Sequence, residues 1–467
     1  MLTRARLWPV ISDARRLLAR AIVVPIAPWI LGPWMLSACV DADRTKESGT
    51  GGGDPVETRT LSPGAGRWRK APATPGPDEL ANLSEEDRRT VSQLEAIGYM
   101  AGSTAAPALR GVTVHDRERA WRGLNFMTSG HAPAAILMDM NGRVIHEWRA
   151  EFAELFPGRD VEAHHPGRAF WRRAALRPNG DILVIFEGLG IARLDAESKP
   201  IWTADVRAHH DLEIMPGEQV YVLTRTVSVR EDLHEGKPFL EDFIVVLDAG
   251  GAEIRRVSVF DALLDSDYAA LYKQRRNAFG DVFHTNTLEV LDGRIASAAP
   301  AFAAGNILVA MPMLNATAVV DLDDERVVWA HTGAYRLHHD PKMLDNGHLL
   351  IFDNVGASGR SRVLELDPGT DEIVWAYTGT EERPFQSDTC GTAQRLGNGN
   401  TLITESDGGR AFEVTSEGEI VWQYYNPHRA GDDDELIATL FEVVRLPPDF
   451  PIDWAAGEGT RPGDGSE

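Results

Sequence analysis

Only two cysteines, Cys39 and Cys390, occur among 467 residues, so no disulfide framework holds this chain together. Positive charge is also scarce: 47 Lys and Arg face 70 Asp and Glu, a formal net charge of -23. Most of such a surface repels nucleic acid and anionic lipid, and an anion handled by the protein must meet a few locally concentrated cations. No Gly-rich phosphate loop of the Walker type is present, which leaves nucleotide-dependent chemistry without support. A long uninterrupted hydrophobic run is missing as well. The most apolar segment, 21–35, is broken by Pro25, Pro28 and Pro33 and is too short for a comfortable membrane span.

What stands at the amino terminus reads as a leader. Arg4, Arg6, Arg15, Arg16 and Arg20 precede the apolar segment, which ends in Leu36-Ser37-Ala38-Cys39. A basic region, a hydrophobic region and small residues before a cysteine resemble a bacterial lipoprotein signal, 1–39, with Cys39 as the lipidated residue. The expectation is an exported protein on the periplasmic face of a bacterial membrane, attached through its N-terminal lipid; an ordinary signal peptide or anchor that contains a cysteine is the alternative. Residues 40–77, rich in Gly, Ser, Thr, Pro and charge, read as a flexible tether. Within 78–104, Ser84 followed by Glu85, Glu86 and Asp87 starts a short helix with Val91, Leu94 and Ile97 on one face, ended by Gly98 and Gly102. Residues 450–467 read as a flexible tail.

From 105 to 449 short Val/Ile/Leu-rich runs alternate with turns. A strand follows a Gly turn at Asn179-Gly180, Pro216-Gly217, Gly305-Asn306, Asn346-Gly347 and Asn398-Gly399. A later strand ends on Trp148, Trp202, Trp329, Trp375 or Trp422. Units of about four short strands at this period are propeller blades. The fold class is therefore all-β, a six-bladed propeller preceded by the short helix and the disordered tether, with the segment 436–446 completing the first blade. The tryptophans are packing residues between blades.

Two stretches, HHDLEIMPGE from His209 and HHDPKMLDNG from His338, repeat one phrase, and His284-Thr285-Asn286 before TLEVLDG is a third, looser copy. Residues just before the first strand of each blade sit at one mouth of a central channel. His209/His210, His284 and His338/His339 are thus expected to converge there. The same offset points to Arg172 and Arg173 in the second blade and to Cys390 and Gly391 in the sixth.

The run from His338, HHDPKMLDNGHLLIFDNVG, then SRVLELDPGTDEIVWAYTG and GTAQRLGNGNTLITESDGGRAFEVTSEGEIVWQY, resembles the bacterial aryl-sulfate sulfotransferases, and so does the opening GVTVHDRERAWRGLNFMTSGHAPAAILMDMNGRVIHEW. The resemblance spans roughly 111–450. It implies a periplasmic six-bladed propeller that moves a sulfuryl group from a phenolic sulfate ester to a phenolic acceptor, with no cofactor, no metal and no nucleic-acid partner. His339 then matches the family's sulfated nucleophile, and His210 and His284 match its supporting histidines. His209, His338, Asn286, Asn315 and Arg172 are the candidate substrate-binding residues. One departure stands out. Where the family places an arginine in a Ser-x-Arg stretch, this chain reads Ala310-Met311-Pro312-Met313-Leu314-Asn315, with proline at that place. Arg225, Arg294 and Arg172 are the alternatives for the absent cation.

The residue types suit the chemistry. Neutral imidazole, with an ordinary pKa of about 6.5, attacks and leaves again at neutral pH. A covalent intermediate and ping-pong kinetics follow. Two other classes fit the same residues: a metal-dependent hydrolase built on three convergent histidines, and a non-catalytic propeller that binds a ligand or partner.

Overall fold

The computed structural model describes residues 103–455 apart from 160, 162–164, 231–236, 274–279, 357 and 431–432. Chain contacts divide the sequence into Met1–Leu61 and Ser62–Glu467, and everything described belongs to the second unit. The expected leader with Cys39, the expected tether and the helix expected from Ser84 lie outside the described residues. Among the described residues no helix is long and apolar enough to cross a membrane.

The chain is all-β and forms seven sheets. Six of them are antiparallel meanders, four built wholly from successive strands and two completed by a strand from the other end of the chain. The second sheet comprises Arg173–Leu176, Ile182–Phe186, Gly190–Leu194 and Pro200–Ala204. The third runs from Ala208–Ile214 to Glu253–Ser258, the fourth from Thr287–Val290 to Arg326–Thr332, and the fifth from His339–Met343 to Glu372–Thr378. In the sixth, Gly111–His115 adds a fifth strand beside Ile420–Tyr425. The first sheet joins the two ends of the chain: Leu440–Leu446 pairs with Leu124–Ser129. Leu436–Ala438 instead joins a small separate sheet with Ser103–Ala105 and Arg429–Ala430.

Burial explains why these runs are strands. The second strands, ILVIF, ILVAM and LLIFD, are buried at every position. A strand covered on both faces reads as a continuous apolar run, whereas a half-solvated one alternates. Each of these sheets therefore has a neighbour on either side. The contacts of the first strands run in order through the second, third, fourth, fifth and sixth sheets to Leu440–Leu446 of the first. Leu124–Ser129 of that sheet then touches Arg173–Leu176 again.

The tryptophans bind one sheet to the next. Trp148 Nε1 donates to the Gly180 carbonyl, Trp375 to that of Ser416 and Trp422 to that of Met140, each across a sheet boundary. The start of the segment expected as a tail behaves differently. Phe450, Ile452 and Trp454 pack on the core between the first and second sheets, and the Trp454 and Trp148 rings lie 5.4 Å apart. Gly180 leaves the space for Trp454, since a Cβ there would lie 2.6 Å from the indole. Apolar burial holds this part of the chain, and the tail reading is corrected for residues up to 455.

Candidate functional site

Hairpin register fixes which residues are equivalent. The backbone N–H groups of Val290, Met343 and Arg445 donate to Glu213, Glu289 and Gln394 of the preceding sheets, one bond repeated along the series. Aligned on it, Arg173, Asp211, Thr287, Asp340, Thr392 and Glu442 occupy one level of the six first strands. Arg173 crosses the centre at that level: it lies 2.9 Å from Asp211, 2.6 Å from Glu442 and 3.9 Å from Asp340, which belong to three other sheets. Lys342 approaches Asp211 at 3.7 Å and Asp340 at 3.8 Å. Burial pushes the Glu442 carboxyl up to about 7 in spite of Arg173. This ion network forms a floor.

One residue earlier in each chain segment, the next level holds Arg172, His210, Asn286, His339, Gly391 and Phe441. The two His-His-Asp phrases are thus in register, as their repetition requires. His284 is not in register with either histidine of those pairs. It lies one position beyond the level of His209 and His338, with a left-handed backbone at φ 54°, yet its ring centroid is 5.1 Å from that of His210. Gly391 leaves its position on this level without a side chain. A Cβ there would lie 2.4 Å from Phe352, and its φ is +97°. Gly391→Ala is expected to cost about 3 kcal/mol through strain and overpacking. Urea unfolding of purified protein measures it, and a change within error would contradict the close packing.

His339 is the best-defined group. Its Nδ1 lies 2.8 Å from Asn354 Oδ1 and 3.2 Å from the Leu337 carbonyl. The Asn354 amide cannot turn over, because its Nδ2 donates to the carbonyls of Ser387 at 2.8 Å and Cys390 at 2.7 Å. Both neighbours of His339 Nδ1 are therefore acceptors, and that nitrogen carries the proton. Nε2 is left with a bare lone pair and, among the described residues, no hydrogen-bond partner. His339 is partly exposed while Asn354 is fully buried, so the lone pair has access and its support does not.

Burial lowers the His339 pKa to about 4, with the nearby Arg172 charge acting in the same direction and the Asn354 bond opposing it. Burial, helped by His339, holds His284 at about 3. His209 and His210 also lie well below the ordinary value through burial, with Arg225 and Arg172 contributing. A base whose pKa is lowered stays neutral until the pH falls through the lowered value. Acylation of His339 by diethyl pyrocarbonate, followed peptide by peptide in a mass spectrometer, should therefore titrate with a midpoint near 4. A midpoint at the ordinary histidine value would contradict the buried environment.

The remaining candidates divide. His210 Nδ1 lies 2.8 Å from His209 Nδ1, and its backbone N–H donates to Glu187 at 3.1 Å. His209 Nε2 faces Asp242 at 3.6 Å, and burial together with Asp281 lifts the Asp242 carboxyl to about 7. His284 Nδ1 sits 2.6 Å from Asp281. His338 turns away from these groups: its Nε2 meets the Thr317 hydroxyl at 2.9 Å and its ring lies against Tyr335 at 4.1 Å. Asn286 spends its amide on the His338 carbonyl and the Thr287 hydroxyl. Asn315 has a left-handed backbone at the end of the Pro312–Leu314 turn and accepts from the Leu337 N–H at 2.9 Å. Among the alternative arginines, Arg225 stands 3.4 Å from Glu187, and Arg294 is bound to Asp292 and Asp345.

Sequence reasoning missed Asn354, Glu187 and Asp242. The first two follow second strands in the parallel phrases LVIFEGLG and LLIFDNVG, so polar residues just beyond those strands were the available signal. Glu187, His209 and His210 also offer ligand atoms within 4.8 Å of one another, a geometry open to a metal ion.

Several solved structures share a broad outline with the chain. A protein of unknown function from Bacteroides caccae is 14% identical over 68% of this chain and 98% of its own, with a TM-score of 0.45. The WD40 β-propeller domain of Doa1 is 12% identical over 74% and 96%, TM-score 0.39. Streptogramin B lyase is 11% identical over 73% and 91%, TM-score 0.40. None of the curated proteins matches the chain. The family model described as Arylsulfotransferase (ASST) matches residues 173–427, a stretch that holds His210, His284, His339 and Asn354 and more than half of the sequence. With that match over the strands that carry its histidines, the chain belongs to the arylsulfotransferase family.

Proposed function

We propose that the six meander sheets are the blades of a six-bladed propeller, and that the histidine cluster beside the ion floor transfers a sulfuryl group from a phenolic sulfate ester to a phenolic acceptor. His339 is the nucleophile. The observation that carries this reading is the fixed tautomer: Asn354, itself pinned by two carbonyls, leaves Nε2 of a partly open imidazole unprotonated.

In the first half-reaction Nε2 attacks sulfur, an N–S bond forms, and the S–O bond to the arene breaks to release a phenolate. In the second, the acceptor oxygen attacks sulfur and the N–S bond breaks. His284, held on Asp281, takes the acceptor's proton and returns it to the departing phenolate of the next turnover. Family membership supports an aryl sulfate and a phenol as the substrate pair. Purified protein given 4-nitrophenyl sulfate should release 4-nitrophenol at a rate that depends on added phenol. Absence of phenol-dependent release with a panel of aryl sulfates would sink the reading.

The Glu187, His209 and His210 cluster favours a second reading, a metal-dependent hydrolase. It requires stoichiometric metal by elemental analysis, and activity abolished by a chelator and restored by the metal alone. Retention of full transfer in the metal-free protein decides against it.

A further inference from the structure

Arg172 occupies the same strand level as His210 and His339, on the sheet that precedes His210. Its neighbour Arg173 reaches Asp211, Glu442 and Asp340, so the first strands of other sheets meet beside this strand end. Arg173 is surrounded by acceptors. Arg172 is not. Its side chain is buried, its Nε has no hydrogen-bond partner, and among the described residues no carboxylate or carbonyl receives its guanidinium. The Phe441 ring lies against it, its centroid 5.1 Å from the guanidinium carbon. Phe441 packs with Phe170 and Cys390 into an apolar support that offers Arg172 no counter-charge.

A buried, unpaired guanidinium is costly unless an anion completes it. The other cations named from sequence are engaged: Arg225 with Glu187, and Arg294 with Asp292 and Asp345. Pro312 opens a tight turn that brings no charge. The planar fork of an arginine matches two oxygens of a tetrahedral oxyanion. Transfer at sulfur also builds charge on the equatorial oxygens, where a fixed cation counts most.

We propose that Arg172, backed by Phe441, binds the sulfuryl oxygens of the donor and of the transferring group, and so supplies the cation of this site from the second sheet. The inference rests on the sulfuryl-transfer reading. The placement of Arg172's support agrees with it: Phe441 packs with Cys390, whose carbonyl accepts from the same Asn354 amide that orients His339.

Four proteins test it: the wild type, Arg172→Met, Arg172→Lys and the surface control Arg294→Met. With 4-nitrophenyl sulfate and phenol, Arg172→Met should lose about 10²- to 10³-fold in kcat/KM, with a raised donor KM. Arg172→Lys should recover part of that loss, and Arg294→Met should match the wild type. Inorganic sulfate, titrated calorimetrically without any donor, should bind the wild type and not Arg172→Met. Unchanged donor kinetics in Arg172→Met, or equal sulfate binding by both proteins, overturns the assignment. If the wild type binds sulfate through Arg172 but transfers nothing, the transfer reading fails and the oxyanion site stands. If the wild type binds no sulfate, the site itself is refuted. Circular dichroism confirms folding of each variant, and Arg172→Lys carries the comparison should Arg172→Met not fold.

Discussion

Replacing His339 by alanine should abolish transfer, with a loss of roughly 10⁴-fold or more in kcat, the scale seen when a covalent nucleophile is removed. The reason is specific to this side chain. His209 and His210 spend Nδ1 on each other, His284 is held by Asp281, and His338 is turned to Thr317. His209, His210 and His338 are buried, and His284 turns its Nδ1 to a carboxylate, whereas His339 combines partial exposure with a proton fixed on Nδ1 by a neutral amide and a partner-free Nε2. Intact mass after a brief exposure to an aryl sulfate should show the wild type gaining one SO₃ group and the variant gaining none. A sulfated His339→Ala protein, or one that still transfers at the wild-type rate, would move the chemistry to another residue.

Asn354→Leu is expected to lower kcat by about 10²- to 10⁴-fold while the donor KM changes little, because an orienting group sets the tautomer of its histidine and not the binding of substrate. The substitution leaves the carbonyls of Ser387 and Cys390 without the donor that joins them. A stability loss of about 1–3 kcal/mol per unsatisfied buried group is therefore also expected. The two effects separate experimentally. Unfolding in urea reports the second, and turnover at a temperature well below the transition reports the first. A variant that is less stable yet turns over normally would reduce Asn354 to a structural role.

The histidines were legible because chemistry and repetition coincided in short stretches. His-His-Asp appears twice before a turn, and the turn sets the register that brings His210 and His339 to one level. His284 was legible as a residue but not as a position, since it stands out of register with both histidine pairs and yet its ring lies beside His210. Asn354 and Glu187 gave a weaker signal. Each lies in the loop after a second strand, and each acts on a residue of its own or the next sheet. The fate of His338 was invisible in sequence, because strand neighbours point to opposite sides and only the facing sheet decides which side meets the other histidines. The ion floor escaped notice for a similar reason. Arg173, Asp211, Asp340 and Glu442 come from four sheets, and only Asp211 and Asp340 belong to a repeated phrase.

The amino-acid sequence by itself determined the all-β class, the recurring strand units and the residue types from which a nucleophile can be drawn. Those properties follow from local patterns: apolar runs, turn residues and a phrase used twice. The tertiary structure alone decided which imidazole nitrogen is bare and which arginine lacks an acceptor. Both depend on hydrogen-bond partners supplied by loops and sheets far apart in the chain, and burial makes each such partner, or its absence, count.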